Sequence, residues 1–114
     1  MREYRVIVFD DPEIVMALSG LRRKQGRPIP PGHVVKLEIL QTPELGAALH
    51  IETDDGRKVV EKFDTREVAA GFVATLIERN VPMQATAPKT VSLIEGRWLA
   101  LLVHPAEKKG TRRN

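Results

Sequence analysis

The sequence predicts an α+β domain: a two-layer sandwich of six mostly antiparallel strands and two helices in the order β-α-β-β-β-α-β-β. Three observations carry that expectation. Short runs of β-branched and apolar residues recur, several in strict alternation with polar ones. Two longer segments repeat apolar residues at the three-to-four spacing of a helix. The element order of the first half then returns in the second at an offset of 54 residues, an internal duplication of about residues 3–54 and 57–104.

The first strand is "YRVIVF", over about Glu3 to Phe9. A helix follows from Asp10, an N-cap residue with Glu13 three positions on as in a capping box and Pro12 in the first turn. Phe9 and Ile14 flank the cap as a hydrophobic staple. Ile14, Leu18 and Leu21, with Val15 and Ala17, form the buried stripe, and Gly26 stops the helix. In "VVKLEIL", Val35, Leu37 and Ile39 alternate with Lys36 and Glu38, so the first set is expected inward. After "TPELG", "AALHIET" sends Leu49 and Ile51 inward and His50 and Glu52 outward. "DDG" at Asp54 to Gly56 then turns the chain into the strand "RKVVEKF".

The second helix starts at Asp64 or Thr65. Val68, Phe72 and Leu76, widened by Ala69, Val73 and Ile77, make its stripe, and Asn80 and Pro82 end it. "TVSLI", the turn "EG" and "RWLALLVH" close the chain as a hairpin. "WLALLV" is apolar at every position, which suits a central strand or one covered by a second subunit.

At the 54-residue offset, Val6, Phe9, Asp10, Glu13 and Pro28 meet Val60, Phe63, Asp64, Glu67 and Pro82. Ile14 meets Val68, Leu18 meets Phe72, and Gly26 meets Asn80. The repeated "FDxxE" is read as helix capping rather than as a two-fold acidic site, because Asp and Glu there satisfy backbone N–H groups.

Composition narrows the function classes. The chain has no cysteine, which removes disulfides, thiol chemistry and thiolate-held metals and fits a reducing cytoplasm. No apolar run reaches the length of a membrane span. The domain is read as residues 1–104 and residues 105–114 as a basic, disordered tail. Lys108, Lys109, Arg112 and Arg113, against Glu107, account for the whole net charge of +3. That leaves fourteen basic and fourteen acidic residues of the chain's 18 and 15, so the folded body is neutral.

No pattern identifies a catalytic, cofactor-binding or metal-binding residue, and the chain is expected to need no cofactor. Ser19 and Ser92 lack a Gly-x-Ser-x-Gly context, and neither a Walker loop nor G-x-G-x-x-G is present. His50, Glu52 and Asp54 share one strand face, and His104 matches His50 at the repeat offset, but alternation alone produces such a row. The strongest charged feature is "LRRKQGRPIPPGH", where Arg22, Arg23, Lys24 and Arg27 join the tail cations Lys108, Lys109, Arg112 and Arg113 as a polyanion-binding candidate. Cations in a last helical turn also complement the helix dipole, and only five aromatic residues are available for base stacking.

Three readings follow. The first is a small, cytoplasmic, non-catalytic protein-interaction module, binding a partner or itself as a homodimer around Trp98, Leu99 and Leu101. The second is weak, sequence-independent binding of a nucleic-acid backbone through the basic loop and tail. The third is an enzyme without a recognisable motif.

Overall fold

A computed structural model describes residues 4–105. Its elements are β1 (Arg5–Phe9), α1 (Asp11–Lys24), β2 (Gly32–Leu40), β3 (Gly46–Thr53), β4 (Lys58–Phe63), α2 (Thr65–Glu78), β5 (Lys89–Ile94) and β6 (Trp98–Val103). This is an α+β fold in the expected order, with every strand pair antiparallel.

Local chemistry sets the helix limits, and it does so twice in the same way. The Asp10 carboxylate accepts from the Glu13 N–H at 2.9 Å while the Asp10 N–H donates to Glu13 Oε1 at 3.0 Å. Asp64 and Glu67 repeat both bonds at 2.8 and 3.1 Å. At the other ends Gly26 and Asn80 take positive φ of 75° and 58°. The Arg27 and Val81 N–H groups then reach back to the Arg22 and Leu76 carbonyls, closing two equivalent left-handed caps.

Six strands form two sheets of three, ordered β1-β6-β5 and β2-β3-β4. Each half therefore lends its first strand to the other half's hairpin. β1 joins β5 and β6, and β4 joins β2 and β3. Neither β-α-β-β unit completes a sheet of its own.

The pairing also corrects the repeat offset. Phe9 faces Leu99, and its counterpart Phe63 faces Ala47. Leu37 faces Leu49, and its counterpart Val91 faces Leu101. Phe9/Phe63 and Leu37/Val91 are 54 residues apart, while Ala47/Leu99 and Leu49/Leu101 are 52 apart. The step arises in the hairpin loops, which hold five residues (41–45) in the first half and three (95–97) in the second. His104 thus corresponds to Glu52 rather than to His50.

One core serves both halves. Leu49 and Ile51 of β3, Leu99, Leu101 and Val103 of β6, Ile14 and Leu18 of α1, and Val68 and Phe72 of α2 belong to a single apolar cluster. The helices meet at equivalent positions, since a Cβ on Gly71 would lie 3.2 Å from the Ala17 carbonyl oxygen. Phe9 stacks on Phe72 with ring centroids 3.8 Å apart. Two expected inward residues turn out exposed. A bulge between Val34 and Lys36 gives the inward place to Val34 and leaves Val35 63% exposed. Ile77, at the margin of its stripe, is also 63% exposed, because α2 turns Gly71 rather than Ile77 toward α1.

Candidate functional site

The basic loop divides on inspection of its partners. Arg22 is buried, and its guanidinium is used up inside the protein. Nε donates to Glu61 at 3.0 Å, Nη1 to Glu67 at 2.7 Å and to Gln25 at 2.9 Å, and Nη2 to the Lys62 carbonyl at 2.8 Å. Its Cζ also lies 4.0 Å from the Phe63 ring centre. Burial pulls the Arg22 pKa down, but the hydrogen bonds and charges of Glu67 and Glu61 outweigh it and raise the value. Arg22 is therefore a fold-internal cation, unable to meet an external polyanion. Lys24 pairs with Glu78 at 3.1 Å, and Arg27 shares Gln25 at 3.1 Å with Arg22. Arg23 is exposed beside the Pro28–Pro31 connector. Lys108, Lys109, Arg112 and Arg113 lie outside the described residues.

The histidines are scattered. His50 Nε2 lies 2.9 Å from Glu38 Oε1, and this hydrogen bond holds the Glu38 carboxyl below its ordinary range. His104 lies 3.1 Å from Thr90 Oγ1 and packs edge-on against Tyr4, while His33 is solvated. Among the described residues no three His, Asp or Glu side chains gather as a metal site would require.

The outer faces of the two sheets differ far more than their inner faces. In the β1-β6-β5 sheet, alternation turns Val6, Val8, Thr90, Ser92, Ile94, Trp98, Ala100 and Leu102 away from the core. None carries a charge. Val6 is 50% and Val8 47% exposed, while Trp98, Leu102 and Ile94 are half-buried. The equivalent positions of the β2-β3-β4 sheet are Val60, Lys62, Lys36, Glu38, Leu40, Gly46, Ala48 and His50. Four of these are ionisable. Lys58 and Glu52 extend that charged face by one more cross-strand pair.

Backbone geometry accounts for one of these differences. Gly46 stands where Trp98 stands in the other sheet, and a Cβ there would run into the Phe63 carbonyl oxygen. In the first sheet the Arg97 guanidinium lies over the Trp98 ring, 4.7 Å from its centre.

Of the three sequence-derived interface residues, the structure keeps one on this face. Trp98 faces outward, whereas Leu99 and Leu101 are fully buried in the core and have no surface to offer. Alternation puts Leu102 on the open side instead, next to Val6. Val6 and Val8 escaped the sequence reading because β1 flanks β6 only after the halves exchange strands, while Ile94 and Leu102 lie on the hairpin already expected and share the Trp98 face by alternation. The absence of charge at alternate positions of each strand is the signal that points to them.

No helix among the described residues is long and apolar enough to cross a membrane. No protein-family model, curated protein or solved structure matches this chain.

Proposed function

We propose that this protein is a small interaction module that docks a protein surface on the outer face of its β1-β6-β5 sheet. The observation carrying this reading is the absence of charge at all eight outward strand positions there, when the equivalent sheet of the same chain has four ionisable groups. Three strands about 4.8 Å apart and about 20 Å long give a patch of roughly 300 Å² in projection. A patch of that size matters when it is continuous and rimmed by polar groups, as this one is by Arg97 at one end and His104 at the other. The competing polyanion reading is weakened by the internal use of Arg22 and the pairing of Lys24 with Glu78.

The test is site-specific photo-crosslinking in the native host. A photoreactive residue replacing Leu102 is expected to give protein adducts, and the same residue replacing its counterpart His50 is expected to give few. Equal labelling from both positions, or none from Leu102, overturns the reading.

A further inference from the structure

We infer that the occupant of the uncharged face is the same face of a second copy of this chain, giving a two-fold symmetric homodimer in exchange with monomer. The inference rests on the interaction reading above and names its partner.

Charge selects the occupant. A surface laid on Val6, Val8, Leu102, Ile94 and Trp98 loses water, and away from the Arg97 edge any charge it brought would be left there without an opposite charge to meet. The other described faces of the molecule all bring charge. The second sheet presents Lys36, Glu38, His50, Glu52, Lys58 and Lys62. The helices expose Arg23, Lys24, Arg66, Glu78 and Arg79. The uncharged sheet is thus matched within this chain only by itself, among the described residues. A two-fold axis makes that match without further design, because each contact made by Val8 or Leu102 occurs twice.

Two sheets stacked about 10 Å apart would place the helices of both copies on the outside, as in a β-sandwich flanked by helices. The footprint sets the strength. Roughly 300 Å² in projection per copy, about 600 Å² in all, falls below the roughly 1,200–2,000 Å² of stable specific interfaces, so the dimer is weak and concentration-dependent rather than obligate.

The second sheet also supplies the probe. The row Glu38–Ala48–Lys62 corresponds to Ser92–Ala100–Val8, so Val8→Lys with Ser92→Glu writes the charged row onto the uncharged sheet. The pair suits the backbone, since its charges already stand at equivalent places. Leu102→His, copying His50, serves as a second and milder variant.

Sedimentation velocity on the full chain over about 5–500 µM is the measurement. The wild type is expected to pass from monomer to dimer. Val8→Lys with Ser92→Glu should raise the dissociation constant at least about tenfold with an unchanged far-ultraviolet circular dichroism spectrum. The mirror substitution on the other sheet, Glu38→Ser with Lys62→Val, should leave the wild-type dimerisation constant unaltered. A wild type that stays monomeric throughout, or a dimer that persists in both Val8→Lys/Ser92→Glu and Leu102→His, overturns the homodimer. If the wild type is monomeric but Leu102 crosslinks to a different protein, the homodimer falls and the interaction reading stands. If Leu102 crosslinks to nothing, both fall.

Discussion

Ser92, Ala100 and Val8 form one row across the β5-β6-β1 sheet, and the corresponding row of the other sheet reads Glu38, Ala48 and Lys62. The middle residue is the same alanine, buried beneath its neighbours in both sheets. The flanking residues change from hydroxyl and methyl groups to a carboxylate and an ammonium. Inside the molecule the halves agree far better: Asp10 and Asp64 cap, Glu13 and Glu67 return the bond, and Ala17 and Gly71 let the helices touch. Capping and close packing constrain the interior of both halves alike. Gly46 apart, they leave the outer faces free, so the difference in charge there has to be explained by something other than the fold.

One interior difference runs the other way. Arg22 and Glu61 form a part-buried ion pair, and their counterparts are Leu76 and Ile7, both packed in or against the apolar cluster. The same architectural position is thus held by charge once and by hydrocarbon once. The pair links α1 to β4, a strand of the other half, as Arg79 links α2 back to Glu13 at 3.0 Å.

The largest expected effects come from breaking the shared core at equivalent sites. Phe72→Ala should cost about 3–5 kcal/mol in urea unfolding, for it is fully buried and stacked on Phe9. Its counterpart Leu18→Ala should cost about 2–5 kcal/mol and lie below it. A reversed order would mean that the Phe9 stack adds little.

Next comes the ion pair. Arg22→Ala should cost about 2 kcal/mol, less than a fully buried pair because Glu61 and Glu67 keep partial solvent contact. Arg22→Leu with Glu61→Ile, which imports the other half's residues, should be more stable than Arg22→Ala alone. Denaturant midpoints decide it, and a double variant no better than Arg22→Ala would break the equivalence of the two positions.

The helix caps give a smaller effect that should be equal in both halves. Asp10→Ala and Asp64→Ala should each cost about 1 kcal/mol, since each removes one carboxylate from the same pair of backbone bonds. Unequal losses would show that one cap bears tertiary load the other does not.

The smallest effect concerns acid. The Asp10 N–H, then Arg79, lower the Glu13 pKa below its ordinary 4.5. A carboxylate whose folded pKa is depressed stabilises the fold fully above its unfolded pKa and loses that contribution as pH falls through the folded value. The Glu13→Gln variant should therefore be less stable than wild type at neutral pH, with the gap closing as pH falls below about 4.5. A gap that stays constant from pH 7 to acid would exclude the ionised form as the source.

The sequence by itself determined what depends on near neighbours. "FDxxE" specified both capping boxes, Gly26 and Asn80 both helix stops, and alternation the inward Leu49 and Ile51 of β3. Those features are settled by bonds spanning about three to five residues, and by a period of two, so a linear reading reaches them. Tertiary structure decided the rest. The exchange of β1 and β4 between the hairpins depends on partners far apart in the chain. The bulge at Val35 and the two-residue step between hairpin loops shift register, and a shift of even one residue turns every following side chain to the other face. Arg22 looked like part of a basic surface because its acceptors, Glu61 and Glu67, stand 39 and 45 residues away. Leu99 and Leu101 looked like an interface because a strand apolar on both sides cannot say which side is covered. That is decided by the element lying against it, which here leaves one face of the β1-β6-β5 sheet open and without charge.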